Sequence, residues 1–434
     1  MQTYQWAMLS PVQQQKLLKR PALSADRDIE GQTKAIVDSI KIGGDKALWQ
    51  AIKKFEKACP ETLKVDKSII QKAENAITDE AKAAIIKAYD NIRTYHSKQG
   101  YEPFEVSTMA GVTCQRIVRP LNRVGLYVPG GSAPLISTTL MLGVPAQLAG
   151  VTECFLASPP DQNGQIDPHI LYAANLCGIN SIYTMGGAHA IAAMAYGTET
   201  VPKVDKIFGP GNAYVTAAKS LVAQDGDGAA LDMPAGPSEV CVIANDHTPV
   251  EFAASDLLSQ AEHDPLSQVL LISTSEVIAD KIIAETKRQL TKLTRASVAE
   301  AALENSVAIV ANTMANALAI SNQYGPEHLI LCFEGAEHYL DSITNAGSIF
   351  VGPLTPESAG DYASGTNHVL PTYGYSRAYS GLSVEAFQKT ISVQSINQQG
   401  LNGLGPSIIT LAELEGLDAH ANAVKIRLLL GDKT

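Results

Sequence analysis

The chain has 434 residues, of which 45% are hydrophobic and 18% charged, and its formal net charge is −11. That apolar content excludes a disordered chain, and the acidic balance excludes a general nucleic-acid binder, which needs clustered Lys and Arg to neutralise phosphate. The length exceeds one average domain, so two or more substructures are expected.

The N-terminus, Met1-Gln-Thr-Tyr-Gln-Trp-Ala, lacks the basic and apolar regions of a secretory signal. Residues 1–100 read as helical, with segments at Ser10–Lys19, Ile29–Phe55 and Asp79–Ser97, and Asp79 is a candidate N-cap. The apolar stretch from Ala133 to Gly150 is interrupted by Ser137, Thr138, Thr139, Pro145 and Gln147, so no membrane span is expected. Six scattered cysteines without a CxxC pair read as reduced thiols, which fits the cytoplasm.

From about residue 125 short apolar strands alternate with glycine turns and Ala-rich helices. Strands are expected at Val124–Val128, Val151–Ala157, Ile179–Met185 and Lys206–Phe208, then at Val240–Ala244, Val269–Ser273, Val307–Val310 and His328–Leu331. Helices are expected at Ala188–Tyr196, from Asn212 to about Ala223, and at Val250–His263, Ser275–Leu293 and Met314–Gln323. Residues 355–383, rich in Gly, Ser, Thr and Tyr, read as a long functional loop, and the tail from Ile408 as helix. The fold class is therefore α/β, with two Rossmann-like parallel-sheet units at roughly 125–238 and 239–380 and helical N- and C-terminal segments.

A standard GxGxxG fingerprint is lacking, but Gly130-Gly131, Gly186-Gly187 and Gly209-Pro-Gly211 each follow a strand. Such turns expose backbone N–H groups that suit phosphate, and they also serve as plain left-handed turns.

On the helix at 250–263 the stripe of Ala253, Leu257 and Ala261, flanked by Ala254 and Leu258, faces the sheet. Gln260 and His263 lie i, i+3 on its flank, where their side chains can converge. A His near a helix C-terminus more often serves the dipole than a metal, so partners are needed. Candidates are Asp361, in a Gly/Ser-rich loop, and His420, in the first turn of a helix that Asp418 would cap and whose dipole keeps imidazole neutral. Two His nitrogens, a carboxylate and an amide oxygen suit zinc, although the spacing matches no compact zinc motif. A second pair, Glu327-His328 at a helix–strand junction, can divide two proton-transfer tasks between groups that titrate in different ranges.

All of these candidate site residues but His420 lie in six blocks that occur in order along the chain. They are Val124-Gly-Leu-Tyr-Val-Pro-Gly-Gly131, Lys206-Ile-Phe-Gly-Pro-Gly-Asn212, Met233-Pro-Ala-Gly-Pro-Ser-Glu239, Ser255-Asp-Leu-Leu-Ser-Gln-Ala-Glu-His263, Ser321-Asn-Gln-Tyr-Gly-Pro-Glu-His328 and Ser358-Ala-Gly-Asp-Tyr-Ala-Ser-Gly-Thr-Asn-His-Val-Leu-Pro371. Over essentially its whole length the chain resembles the histidinol dehydrogenase family. The resemblance implies oxidation of L-histidinol to L-histidine through the aldehyde, with two NAD and one water, as the last step of histidine biosynthesis. It implies one zinc per subunit, held by Gln260, His263, Asp361 and His420, the same four also meeting substrate together with Ser238, His328 and Glu415. His328 would be the base for the alcohol step, Glu327 the group that activates water, and Tyr127, His189 and Asn212 the NAD contacts. His189 stands where some relatives carry Gln, which leaves its role at the cofactor less defined.

The resemblance also implies an intertwined homodimer with shared active sites. Its domains would be an N-terminal segment 1–25 packing with the tail, a larger α/β domain from 26–125 and 239–382, an inserted NAD-contacting domain 126–238, and an exchanged tail 383–434. Neither nucleic acid nor membrane is expected as a partner. Two other readings use the same residues: a zinc hydrolase or deaminase with Glu327 as base, and a non-catalytic scaffold.

Overall fold

The computed structural model describes residues 1–20, 27–130, 134–234 and 236–431. The chain divides into two compact units, the first formed by residues 1–98 and 122–384 and the second by residues 99–121 and 385 onward.

The first unit holds two parallel sheets. In chain order its strands are β1 (Gln2–Gln5), then, after the two strands of the second unit described below, β4 (Arg123–Tyr127), β5 (Glu153–Ser158), β6 (Ser181–Thr184), β7 (Lys206–Phe208), β8 (Ala230–Leu231), β9 (Glu239–Ala244), β10 (Gln268–Ser273), β11 (Val307–Val310), β12 (His328–Leu331) and β13 (Ser348–Val351). One sheet has the order β6-β5-β4-β7-β8, the other β1-β11-β10-β9-β12-β13. Both therefore repeat one topology, third-second-first-fourth-fifth in chain order, and β1 adds an outer strand to the second sheet. In each, the order reverses beside the first strand, between β4 and β7 and between β9 and β12, and such switch points open crevices in doubly wound folds.

Helices on both faces explain the composition of the strands: every residue of β9 and β10 is buried, so they read as unbroken apolar runs rather than alternating ones. The helix Gly187–Tyr196 is buried all round, with five alanines among its ten residues, and packs against the helix Arg27–Phe55. The predicted stripe of the helix Val250–Ala261 is confirmed, since Ala253, Ala254, Leu257, Leu258 and Ala261 join the core beneath the six-stranded sheet.

The second unit contains β2 (Phe104–Met109), β3 (Val112–Pro120) and β14 (Gln388–Ile396) in an antiparallel sheet ordered β14-β3-β2, with the helices Gln398–Leu414 and Asp418–Gly431 packed on each other.

Several local expectations are corrected. Residues 1–100 are not wholly helical, because Gln2–Gln5 pairs in parallel with β11. Thr78, not Asp79, caps the helix Asp79–His96, its side chain accepting the Ala81 N–H at 3.1 Å. The helix that starts at Val250 ends at Ala261, so Gln260 lies in its last turn and His263 just beyond. The predicted helix Ser275–Leu293 is the shorter Glu276–Leu290. The loop at 355–383 contains the helix Glu357–Tyr362, and the tail is helical already from Gln398.

Candidate active site

Two features of the first unit can carry chemistry. The first is a cavity of about 970 Å³ at the C-terminal edge of the five-stranded sheet, where a switch-point ligand belongs. Tyr127 closes β4, His189 lies in the first turn of the helix after β6, Asn212 opens the helix after β7, and all three line this cavity. Gly209 has a φ of +119°, and a Cβ there would collide with the Tyr127 carbonyl oxygen, so only glycine lets the two strand ends approach. Gly131, part of the first glycine turn, lies outside the described residues.

Polar groups are fixed around the cavity wall. The Gly187 N–H donates to the Tyr127 hydroxyl at 3.0 Å, and burial pushes that phenol up to about 12, so it stays a neutral hydrogen-bonding group. Asn212 Oδ1 accepts the Val215 N–H at 3.1 Å as a helix cap, which leaves its amide N–H groups for a ligand. His189 Nε2 lies 3.0 Å from Glu56 Oε1, which also accepts the Gly186 N–H at 2.7 Å. Glu56 was not singled out in the sequence. It follows the long helix 27–55, far along the sequence from any glycine turn.

The second feature is a cluster of ionisable groups at the N-terminal edge of the six-stranded sheet. Glu327 and His328 enter β12 and are 5% and 4% exposed. His328 Nδ1 faces the Glu239 carbonyl at 3.1 Å, with Glu327 Oε2 at 3.6 Å and Glu357 Oε1 at 3.7 Å, while Nε2 lies 3.4 Å from Asp361 Oδ1. The Glu239 N–H donates to Glu327 Oε2 at 2.8 Å. Burial pushes Glu327 and Glu357 up to about 8 each. Burial alone would discharge His328, but the surrounding carboxylates Glu327, Asp361 and Glu357 win and push the ring up to about 10. These groups share protons as one coupled system.

Glu357 belongs to this cluster and was missed. It is fully buried, accepts the Ser259 hydroxyl at 2.7 Å through Oε2, and among the described residues has no hydrogen-bond partner for Oε1. Glu357 and Asp361 are i, i+4 on a six-residue helix, a spacing hidden in a segment read as loop. His368, which lies in the last of the six sequence blocks, also reaches this cluster. Its Nδ1 lies 2.8 Å from the Asp361 carbonyl and its Nε2 lies 3.3 Å from Thr138 Oγ1. Thr138 stands in the first turn of the helix after β4, so the edges of the two sheets meet at this contact.

Gln260, His263 and Asp361 converge on the same edge. The Gln260 amide is 1% exposed, yet among the described residues neither its oxygen nor its nitrogen has a hydrogen-bond partner, which is costly for a group with no other use. His263 keeps solvent access but is recessed among protein atoms, and this desolvation lowers its pKa against the pull of Asp361. Against the cost of burial, His328, His368 and His263 hold the Asp361 carboxylate below its usual range. A neutral imidazole, an ionised carboxylate and an orphaned amide oxygen are the donor states that a zinc ion takes, so these residues fit one. Among the described residues no group of three or more His, Cys, Asp or Glu forms a metal site by itself. Ser238 is half-buried directly before Glu239. Glu415 and His420 belong to the second unit and are exposed there, Glu415 capping the helix Gln398–Leu414 and His420 lying in the first turn of the helix Asp418–Gly431.

A cofactor-sized cavity on one parallel sheet, meeting a buried cluster of ionisable groups on the next, is the arrangement of an α/β enzyme of the dehydrogenase type. The comparisons agree. A family model described as histidinol dehydrogenase matches residues 18–428. A histidinol dehydrogenase of Vibrio vulnificus is 51% identical over 428 residues, covering 99% of this chain and 98% of that one, and the Escherichia coli protein of the same name is 51% identical over 423 residues, covering 98% and 96%. The crystal structure of histidinol dehydrogenase from Elizabethkingia anophelis superposes with a TM-score of 0.94 at 48% identity, covering 100% of this chain and 99% of that one. This chain belongs to the histidinol dehydrogenase family. It is accordingly an NAD-dependent oxidoreductase acting on an alcohol, and the hydrolase, deaminase and scaffold readings are set aside.

Proposed function

We propose that the chain oxidises L-histidinol to L-histidine by way of L-histidinal, with Glu327 and His328 handling the protons. The observation that carries this is the buried Glu327–His328–Asp361 cluster, whose edge meets the wall of the cofactor-sized cavity through His368 and Thr138.

The reaction consumes one water and two NAD and yields two NADH and three protons. NAD, when bound in the cavity lined by Tyr127, His189 and Asn212, supplies the hydride acceptor for both steps. Zinc, when held by Gln260, His263 and Asp361, supplies two positive charges beside His328 and coordination positions that orient an imidazole and an amine. With that charge opposing the carboxylates that raise it, His328 is neutral in the loaded site, and it then takes the hydroxyl proton through Nε2, because Nδ1 is held against the Glu239 carbonyl. Glu327, on the other side of the same ring, removes a proton from the water that adds to the aldehyde. The burial of both groups excludes bulk water and keeps a labile aldehyde from premature release.

Ser238 and Glu415 complete the substrate contacts in this reading, and His420 supplies the fourth zinc ligand from a second copy. The second unit leaves Phe104, Val106, Ile391, Ile396, Leu411 and Leu414 exposed, an apolar surface that suits cover by such a copy. The domain limits 1–25, 26–125 with 239–382, 126–238 and 383–434 are part of the same reading. Among the described residues no helix is long and apolar enough to cross a membrane, and all six cysteines are unpaired, which supports a cytoplasmic enzyme.

Limiting histidinol with excess NAD tests the assignment. Two NADH per histidinol are expected, and a yield of one or none contradicts it.

A further inference from the structure

The chain brings one residue of its N-terminal segment up behind the Glu327–His328 pair. Arg20 is 219 positions from Glu239, yet its guanidinium forms a two-pronged ion pair with that carboxylate, Nε to Oε1 at 2.6 Å and Nη2 to Oε2 at 2.7 Å. The Arg20 and Glu239 side chains are 8% and 0% exposed. The Tyr373 N–H donates to Glu239 Oε1 at 3.0 Å, so the carboxylate is held from two sides.

Arg20 also reaches the segment that leads into Glu327. Its Nη1 donates to the Tyr324 carbonyl at 2.7 Å, and Nη2 to the Gly325 carbonyl at 3.1 Å. Its guanidinium stacks 3.7 Å over the Tyr324 ring. These carbonyls end the helix Met314–Tyr324, where the helix itself leaves them unpaired, and the Tyr324 carbonyl also accepts from Arg377 Nη2 at 3.2 Å. One planar cation therefore fixes two pieces of chain together: the start of β9, at Glu239, and the turn two residues before Glu327.

The consequence falls on the two proton-handling groups. The main chain of Glu239 touches both, its N–H holding Glu327 Oε2 and its carbonyl holding His328 Nδ1. Neither Arg20 nor the Glu239 carboxylate touches the reacting edge of His328, and Nε2 points away toward Asp361. We propose that Arg20 and Glu239 are positioning residues: their ion pair sets where the Glu239 peptide sits, and so which way Glu327 and His328 face. Arginine is required for this, because the three N–H groups of a single ammonium cannot supply both prongs to the carboxylate and two further bonds to the carbonyls. The proposal rests on the reading of Glu327 and His328 as the proton-handling pair.

The test compares Arg20→Met, Glu239→Gln, the double variant and Arg20→Lys with wild type, as the zinc-loaded full chain. The measurements are kcat, KM for histidinol, and NAD affinity by calorimetry. A small displacement of acid–base groups costs on the order of 100-fold in rate. Each single variant should lose kcat on that scale, while KM and NAD affinity stay within about two-fold, a split that general loosening of the fold would not give. The double variant should be no slower than the worse single, because both act through the same peptide. Arg20→Lys serves if Arg20→Met does not fold, and it should still lose kcat. Wild-type kcat in Arg20→Lys, losses that multiply in the double variant, or a loss confined to KM would overturn the proposal. A parallel His328→Asn variant separates the two claims. If it is fast, the base assignment fails. If it is slow while the Arg20 and Glu239 variants are fast, only the positioning claim fails.

Discussion

Asp256 lies one helical turn before Gln260 and is 5% exposed. Burial pushes its carboxyl up to about 7, partly opposed by the Glu357 N–H. An acid raised in this way keeps a proton in the folded chain that the unfolded chain has already lost. Between the ordinary value of 3.8 and about 7, stability therefore falls as pH rises, and above that window the charged form costs on the order of a few kcal/mol. Asp256→Asn keeps an acceptor for the Glu357 N–H and removes the titration. Its melting temperature should exceed that of wild type at pH 8 and match it at pH 4, as followed by circular dichroism. An equal shift at both values would contradict the assignment of this carboxyl as a buried acid. Such residues carry no mark in the sequence, since Asp256 reads as one more polar position on an amphipathic helix. Glu327 and His328 were legible because they are adjacent at a helix–strand junction. Glu357 was not, because its relation to His328 exists only after folding.

At the scale of elements, the turn Gly209-Pro-Gly-Asn212 joins fold and function in one residue. Asn212 spends its side-chain oxygen on the Val215 N–H and presents its amide N–H groups to the cavity. Asn212→Ser preserves the cap, since Asn and Ser rank alike there, so stability should change by less than about 0.5 kcal/mol. It removes the amide donor, and NAD affinity measured by calorimetry should fall several-fold. Unchanged affinity would remove Asn212 from the cofactor site. The strands of the two parallel sheets were readable for a physical reason: β4, β5, β9 and β10 lie between helices and must be apolar along most of their length. The antiparallel strands were not. Every residue of β2 is exposed and β3 is mostly half-buried, so neither shows the alternation that marks a strand with one buried face. β1, with the sequence Gln-Thr-Tyr-Gln, sits at a sheet edge and has no apolar pattern to read. The helix Glu357–Tyr362 is too short to establish a helical period.

At the scale of the whole molecule, three expected zinc ligands lie in the first unit, and His420 lies exposed in the second. If a second copy supplies His420, two damaged chains can repair each other. A co-expressed mixture of His263→Ala and His420→Asn should regain about a quarter of wild-type activity, because a mixed dimer holds one intact site and one doubly altered site. No recovery, with dimers present by light scattering, would mean that each site uses its own tail. Both Rossmann-like sheets share one topology, but the large cavity lies at the C-terminal edge of one and the buried ionisable cluster at the N-terminal edge of the other. Under the proposed function the site would depend on where these edges meet, at Thr138 and His368. The central claim is that one buried cluster divides two proton tasks, His328 serving the alcohol and Glu327 the water. The most direct measurement is the NADH formed per histidinol by Glu327→Gln, with the aldehyde trapped and quantified. The account predicts that the yield falls from two to one while the first NADH forms at close to the wild-type rate and aldehyde accumulates. Two NADH per histidinol at the wild-type rate, or loss of the first NADH together with the second, would contradict it.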